Sequence, residues 1–220
     1  MSANINDESV KNQWRLKEWF PDLTEKTLAS LQAFFDLVIQ HNKTISLVSP
    51  KTLPVSDALH FADSIIASQI IVEASPGIKK MYDFGSGSGF PGIVFAILYP
   101  HIEMSLVEAD LRKVEFLKQA SSALALTNVK VLHSTIESLP SDSVTHAITR
   151  GFGNISKTIL LARKPIAKGG IVYHMKNEQW GLEVTEIPTQ LCSIWFPALV
   201  QEYVLPSTQI RFGVVKTTKN

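Results

Sequence analysis

The sequence predicts an α/β protein with a doubly wound, mainly parallel sheet behind a layer of helices. Residues up to about 75 carry apolar side chains at helical spacing, whereas short apolar runs alternate with helical segments from Lys80 onward. A glycine-rich turn follows the first of these runs. We therefore expect an N-terminal helical layer over residues 1–75 and an α/β domain over residues 76–220, packed as one unit.

The first part of the chain predicts two helices. Thr24 is a favourable N-cap, and apolar residues follow it at helical spacing, namely Leu28, Leu31, Phe34, Phe35 and Val38. The segment from His60 to Ala74 predicts the second helix.

The second part predicts buried parallel strands at Met81 to Phe84, Met104 to Val107, Val129 to Leu132, Val144 to Ile148 and Ile171 to Met175. The helices expected between and after them are Pro91 to Tyr99, one capped by Asp110, Ile155 to Ala167 before Gly169 and Gly170, and a weaker one from Glu178 to Ile187. Two antiparallel strands are expected between Leu191 and Val215.

Composition excludes several classes of protein. The 220 residues are 45% hydrophobic and 19% charged, which is typical of a folded globule and not of a disordered chain. The net charge of +1 requires any nucleic-acid contact to come from a local patch. Cys192, the single cysteine, excludes a disulfide within the chain. We read neither an export signal nor a membrane helix, and we expect a cytoplasmic protein.

The turn from Asp83 to Gly92, DFGSGSGFPG, is the most informative segment. From Gly87 it matches the GxGxxG pattern of dinucleotide-binding proteins, and from Asp83 it matches the DxGxGxG form that binds adenosylmethionine. A P-loop is excluded because Ile93 and Val94 stand where Lys and Ser or Thr are needed. A structural turn without a ligand is the remaining alternative.

Two carboxylates bear on which cofactor this turn binds. Asp83 can accept hydrogen bonds from the aminoacyl ammonium of adenosylmethionine, directly or through water, whereas it would repel a pyrophosphate. Glu108, at the end of the second predicted strand, can hold the ribose hydroxyls of either cofactor. S-adenosyl-L-methionine is therefore the expected cofactor, and a nicotinamide-dependent oxidoreductase is the alternative.

The side chains present in the sequence restrict which kind of atom can accept the methyl group. Cys192 lies too near the chain end to suit a pyrimidine C5 mechanism, and the segment ITRGFG after the fourth strand lacks the D/N-P-P-Y/F pattern of amine methylation. A guanine N7 carries no proton and needs no general base, which is compatible with this sequence. Arg150 lies where substrate should approach, and His60 can bind RNA or be structural. The histidines show no metal-ligand spacing, so no metal is expected.

These motifs resemble the bacterial ribosomal RNA small-subunit methyltransferase G family, also called glucose-inhibited division protein B. The resemblance spans most of the chain and rests on NKTISL at 42–47, HFADS at 60–64, DFGSGSGFPGI at 83–93, Glu108 with RKVEFL at 112–117, Thr149-Arg150, and Met175-Lys176. Three positions depart from the family pattern, since His41 replaces Trp, Glu108 replaces Asp, and Met175-Lys176-Asn177 replaces Leu-Lys-Gly.

The resemblance implies a Rossmann-like class I adenosylmethionine-dependent methyltransferase that modifies N7 of one guanosine in 16S rRNA. The cofactor-binding residues expected on this basis, together with the turn, are Asp83, Gly85, Ser86, Gly87, Gly89, Phe90, Glu108, Ile136, Glu137 and Arg150. Arg150 and Lys176 are expected on the catalytic side, and Asn42, His60, Arg112 and Lys113 at the RNA.

The partner expected from the resemblance is 16S rRNA or an assembling small-subunit particle, bound by a monomer without membrane attachment. A non-catalytic RNA-binding module is a further alternative to the methyltransferase. Stabilisation by S-adenosyl-L-methionine or by NAD would separate the methyltransferase from the oxidoreductase, and RNA binding without turnover would indicate the module.

Overall fold

The computed structural model describes residues 13–220, and a seven-stranded sheet forms its centre. The strands are β1 (Lys80–Phe84), β2 (Glu103–Glu108), β3 (Val129–His133), β4 (Val144–Arg150), β5 (Ile166–Asn177), β6 (Trp195–Val204) and β7 (Arg211–Lys219). Their order is β3-β2-β1-β4-β5-β7-β6. The first five are parallel, and β7 is antiparallel to β5 and β6. The strand order reverses between β1 and β4, where doubly wound sheets bind their ligands.

Eight α-helices surround this sheet in the described part of the chain. They are α1 (Leu16–Trp19), α2 (Glu25–Asn42), α3 (Asp63–Ala74), α4 (Gly92–Leu98), α5 (Leu111–Ala123), α6 (Ile155–Ala162), α7 (Trp180–Thr185) and α8 (Thr189–Cys192). A 3-10 turn (Leu53–Val55) and a π-helix (Asp57–Ala62) lead into α3. Within residues 13–220 no helix is long and apolar enough to cross a membrane.

The predicted caps and apolar faces are confirmed. The hydroxyl oxygen of Thr24 accepts a hydrogen bond from the Thr27 amide at the start of α2, and all five predicted apolar positions of this helix are buried. Asp110 caps α5 in the same way, accepting from the Arg112 amide. These contacts are local in sequence, so spacing and residue type were sufficient to predict them.

The predicted helix from Ile155 to Ala167 is wrong in its second half. The helix ends at Ala162, and β5 begins at Ile166 and includes both glycines that were expected to end the helix. Pro165 explains the early end, because a residue before proline is disfavoured in the helical region. Ile166 instead pairs with Val144, and the register shifts before the main ladder resumes.

The other boundary differences are smaller. The helix predicted from His60 begins with the π-helix at Asp57, and the weak helix after Glu178 spans only α7. The segment from Leu191 contributes to α8 before β6 starts at Trp195. Both C-terminal strands are antiparallel as predicted.

Apolar layers cover both faces of the sheet. On one face α2, α3, α4 and α5 pack in one continuous cluster that includes Leu31, Phe34, Ile65 and Met104. On the other face α6 and the segment near α8 pack around Ile159 and Trp195. The N-terminal helices therefore share a core with the sheet. The boundary between residues 75 and 76 stays a prediction, and residues 1–12 of the predicted layer lie outside the described residues.

Candidate active site

A cleft of about 980 Å³ opens at the carboxyl ends of β1, β2, β4 and β5. It lies at the switch point of the sheet, as expected for a ligand site in this architecture. The predicted site residues that line it are Gly85, Ser86, Gly87, Phe90, Glu108, Lys113, Ile136, Glu137, Arg150 and Lys176. Asn42, His60, Asp83, Gly89 and Arg112 do not line it.

The glycine turn needs its glycines for two different reasons. Gly85, Gly87 and Gly89 have φ values of 71°, 55° and 89°, in the left-handed region that glycine tolerates best. Gly85 and Gly87 also line the cleft. At Gly87 the missing side chain leaves the backbone open to a ligand, whereas at Gly85 it makes room for the ring of Phe152. Gly89 faces the core instead, because an added Cβ would lie 2.8 Å from Cγ1 of Ile93 and 3.0 Å from Cζ of Phe34. Gly89 thus has a packing role and does not line the cleft, and its predicted part in cofactor binding stays a prediction.

Asp83 points into the protein and not into the cleft. Its Oδ2 accepts a hydrogen bond of 3.1 Å from the amide of Gly92 at the start of α4, while its Oδ1 is buried without a partner. Burial raises the pKa of Asp83 to about 7. Of the two predicted modes of contact with a ligand ammonium, direct or through water, this geometry favours the one through water, since α4 packs on the carboxylate.

Glu108 joins the end of β2 to the glycine turn. Its Oε2 accepts a hydrogen bond of 2.8 Å from the Gly87 amide, and its Oε1 accepts from the amides of Ala109 and Asp110, each at 2.8 Å. A carboxylate offers about four lone-pair positions, so this arrangement leaves one on Oε2. Glu108 thus orders the turn and keeps one acceptor position for a hydroxyl donor.

Arg150 is held by a buried polar network. Its Nη1 donates to the Leu59 carbonyl and to Oδ2 of Asp63, each at 3.0 Å, and its Nη2 donates to Nδ1 of His60 at 3.0 Å. Asp63 is 1% exposed, and its Oδ1 accepts a 2.7 Å hydrogen bond from the Tyr203 hydroxyl. The guanidinium keeps its Nε and one Nη2 proton for other partners.

His60 supports this network and does not face the cleft. Burial and the neighbouring Arg150 lower the pKa of His60 to about 3, so the imidazole is neutral. Because Nδ1 accepts from Arg150, Nε2 carries the proton and donates to the hydroxyl oxygen of Thr52 at 3.1 Å. The ring also stacks on Phe90, with centroids 5.3 Å apart. His60 is therefore placed to orient Arg150, which favours the structural alternative for this residue.

Lys176 holds the loop that follows β4 in place through two contacts. Its ammonium donates to the Gly153 carbonyl and forms a 2.8 Å ion pair with Glu183 of α7. The same carboxylate oxygen of Glu183 accepts from the amide of Ile155 at the start of α6. The side chain of Lys176 is 10% exposed, so it lines the cleft while its charge is paired with Glu183.

Of the remaining residues that were predicted to contact RNA, one lines the cleft and two do not. Oδ1 of Asn42 accepts from the amides of Leu47 and Val48, which shapes the loop after α2 and leaves Asn42 away from the cleft. Arg112 is exposed on α5 and bonded to Asp110, whereas Lys113 lines the cleft. In residues 13–220 no cluster of three or more His, Cys, Asp or Glu side chains is arranged to hold a metal ion.

The cleft residues that the sequence did not predict include Asp63, Phe152, Lys157 and Glu183. Asp63 lies within the HFADS segment, so a signal was present, but its pairing with Arg150 depends on the fold. Phe152 lies two residues after Arg150, in a segment that lacks the D/N-P-P-Y/F pattern. Glu183 belongs to no motif, because the fold brings its partners, Lys176 and the Ile155 amide, to it. Lys157 lies five residues after Phe152, and only the folded loop places its ammonium over that ring.

Solved structures with this architecture include several methyltransferases. One is a SAM dependent methyltransferase from Aquifex aeolicus, with a TM-score of 0.56 and 13% identity, covering 77% of this chain and 98% of that one. Another is a predicted O-methyltransferase from Agrobacterium tumefaciens, with a TM-score of 0.54 and 20% identity, covering 72% and 80%. At this level of identity the likeness concerns the fold, and it confirms the predicted Rossmann-like sheet. Fold and cleft together define an α/β protein with a Rossmann-like sheet and a ligand cleft at its switch point.

Sequence comparison identifies the family. The family described as "GidB: rRNA small subunit methyltransferase G" matches residues 27–197. A relative from Bdellovibrio bacteriovorus, "Ribosomal RNA small subunit methyltransferase G 3", is 52% identical and covers 94% of this chain and 93% of its own. A Paracoccus denitrificans relative, "Ribosomal RNA small subunit methyltransferase G", is 33% identical and covers 71% and 79%. The chain belongs to the rRNA small subunit methyltransferase G family, which favours methyl transfer over nicotinamide-dependent oxidation and over RNA binding alone.

Proposed function

We propose that this protein transfers the methyl group of S-adenosyl-L-methionine to N7 of one guanosine in 16S rRNA. The observation that carries the proposal is the bond between Glu108 and the Gly87 amide, which holds an acidic side chain beside the glycine turn at the switch point of the sheet, where a nucleoside cofactor would bind. Small-subunit rRNA as the substrate class follows from the family and from its relatives' names. The N7 acceptor follows from the family resemblance of the motifs.

The residues present fit this cofactor. Glu108 has one free acceptor position for a ribose hydroxyl, and Ile136 and Glu137 line the same cleft where the adenine would lie. Gly85 lines the cleft at the aminoacyl end, and the unpartnered Oδ1 of Asp83 can accept from the ammonium through water. When bound, S-adenosyl-L-methionine supplies an electrophilic methyl group on a sulfonium.

The acceptor side of the cleft suits an atom that carries no proton. The carboxylates that line this side in the described chain are Asp63, paired with Arg150, and Glu183, paired with Lys176. An amine or hydroxyl acceptor gains from a free base, whereas guanine N7 needs only alignment of its in-plane lone pair. Paired carboxylates therefore support N7 as the acceptor.

Arg150 would bind the target nucleotide through its phosphate or guanine O6. A bidentate contact to O6 and N7 would occupy the lone pair that attacks, and a cation aimed at N7 would oppose the positive charge that develops on the base. The free Nε and Nη2 protons of Arg150 provide a lateral contact. Lys176 would act by holding the loop after β4, and Lys113 with the exposed Arg112 would bind flanking phosphates.

The proposed partner is 16S rRNA, free or within a small-subunit particle, bound by a monomer of this protein. Because ribosomal subunits are assembled in the bacterial cytoplasm, that is where the enzyme would act. The N-terminal helices over residues 1–75 would form a layer fixed on the methyltransferase domain of residues 76–220, since both share one apolar cluster.

Mapping N7-methylguanosine in 16S rRNA tests the proposal. A strain lacking this gene should lose the modification at one position, and the wild-type gene should restore it. A Glu108→Ala gene should restore it poorly, because cofactor binding is weakened. Unchanged N7 methylation in the deletion strain contradicts the proposal. With purified protein, S-adenosyl-L-methionine should raise Tm and NAD should not.

A further inference from the structure

Phe152 lies at the mouth of the cleft directly after β4. The ring is half-buried and packs partly on the apolar cluster of α6, yet it also lines the cleft. It lies on the glycine turn, because a Cβ added at Gly85 would collide with its Cδ2 and lie 3.2 Å from its Cγ and Cε2. Since Gly85 belongs to the proposed cofactor site, Phe152 stands beside the place where the methyl group would be presented.

The loop that carries Phe152 is held from both sides. Gly151 has a φ of 65°, a left-handed conformation that turns the chain after Arg150. Lys176 binds the Gly153 carbonyl, and Glu183 binds the amide at the start of α6. A ring held by a bonded loop loses little conformational entropy when a ligand stacks on it.

The ammonium group of Lys157 lies close to the Phe152 ring. Nζ of Lys157, on the exposed face of the first turn of α6, lies 5.5 Å from the ring centroid of Phe152. The stem of Lys157 passes over Gly153, where an added Cβ would lie 3.1 Å from its Cδ. The structure thus places an ammonium over the aromatic ring at the cleft mouth. An aromatic ring and a cation are the pair of groups with which proteins hold unstacked nucleotides, and a base that stacks on this ring would leave the ammonium to a phosphate.

We propose that Phe152 is the stacking platform for the acceptor base and that Lys157 binds a phosphate beside it; this rests on the proposed function and names residues that receive the nucleotide. The N7 lone pair lies in the plane of the base. Stacking therefore sets the direction of the lone pair while leaving all ring-edge atoms free, and Arg150 can then act from the side.

Single-turnover methylation of small subunits from the deletion strain tests the platform. We expect Phe152→Leu, which retains apolar bulk, to reduce the ratio of rate constant to half-saturating subunit concentration at least tenfold. Phe152→Tyr should remain within about threefold of wild type. Phe196→Leu is the matched control, because Phe196 is 56% exposed on the edge strand β6 and does not line the cleft. Cofactor affinity should stay unchanged in all three variants. Phe152→Leu should lower the unfolding temperature by only a few degrees, because the ring is half-buried, and it should remain folded at the assay temperature.

Lys157→Gln should weaken subunit binding and reduce the slope of log K against log salt by about 0.7 to 0.9, the effect of one phosphate contact. Lys168→Gln, at the amino end of β5 and away from the cleft, should leave both unchanged.

A second readout needs no turnover. Binding of a short single-stranded RNA containing 2-aminopurine should quench its fluorescence with wild-type protein and with Phe152→Tyr, but not with Phe152→Leu. Equal quenching, or equal methylation, by wild type and Phe152→Leu overturns the platform. A wild-type protein that quenches 2-aminopurine but methylates no small-subunit RNA would instead contradict the proposed function, so the two failures are distinguishable.

Discussion

Removing the guanidinium of Arg150 should lower the free energy of unfolding even when no substrate is present. Asp63 is 1% exposed and forms its ion pair with Nη1 of Arg150 at 3.0 Å. In Arg150→Met the apolar stem is kept, but a buried carboxylate loses its cation. Breaking a buried pair from one side costs about 3 to 5 kcal/mol. In a chain of this length each kcal/mol lowers Tm by about 2 to 4 °C, so we expect a fall of about 6 to 20 °C.

The partner substitution should be milder. Asp63→Asn removes the charge but keeps groups that can bond to Arg150 and Tyr203, so we expect a loss of about 1 to 3 kcal/mol. In the double variant no uncompensated carboxylate remains. Its loss should therefore be smaller than the sum of the two single losses by at least about 1 kcal/mol.

The effect of Arg150→Met should also depend on pH. Burial raises the pKa of Asp63, and Arg150 opposes this rise, so removing Arg150 raises the pKa further. Above the ordinary carboxyl pKa the folded state then holds a proton that the unfolded state releases, and stability falls as pH rises. The deficit relative to wild type should be smaller at pH 5 than at pH 8.

Urea denaturation followed by circular dichroism measures these free energies at each pH. A loss below about 1 kcal/mol for Arg150→Met, or strict additivity in the double variant, would refute the assignment of Asp63 and Arg150 as a coupled buried pair. Cofactor affinity measured on the same proteins should remain within about threefold, because the network adjoins the acceptor side.

Three further outcomes follow from the site. In the wild type the folded pKa of Asp83, about 7, makes the unfolding free energy fall as pH rises. Asp83→Asn removes this pH dependence. Between pH 4 and 7 the difference in unfolding free energy, variant minus wild type, should therefore rise by about 1.4 kcal/mol per pH unit in urea titrations. Gly92→Ala should cost about 1 to 3 kcal/mol, since its Cβ would lie 2.5 Å from Oδ2 of Asp83, whereas Gly181→Ala in open space on α7 should be neutral or slightly stabilising by thermal unfolding. Glu108→Ala should weaken S-adenosyl-L-methionine binding by about 1 to 3 kcal/mol in calorimetry, and an unchanged Kd in a folded variant would remove Glu108 from the cofactor site.

The sequence by itself determined the features whose causes are local. Short apolar runs separated by helical segments predicted all five parallel strands. Thr24 and Asp110 marked helix starts because a cap bonds an amide only two or three residues away. Glycine spacing after β1 predicted the ligand turn, since left-handed backbone and close approach both favour a residue without a Cβ.

Only the tertiary structure decided which polar groups share a partner. Arg150 and Asp63 are 87 positions apart, and Tyr203 reaches Asp63 from 140 positions away, so no spacing rule links them. The same holds for Asp83, which points away from the cleft because α4 places the Gly92 amide against it. Such pairings arise because a buried charge must find a partner wherever the folded chain brings one, and that choice is made by packing across the whole sheet.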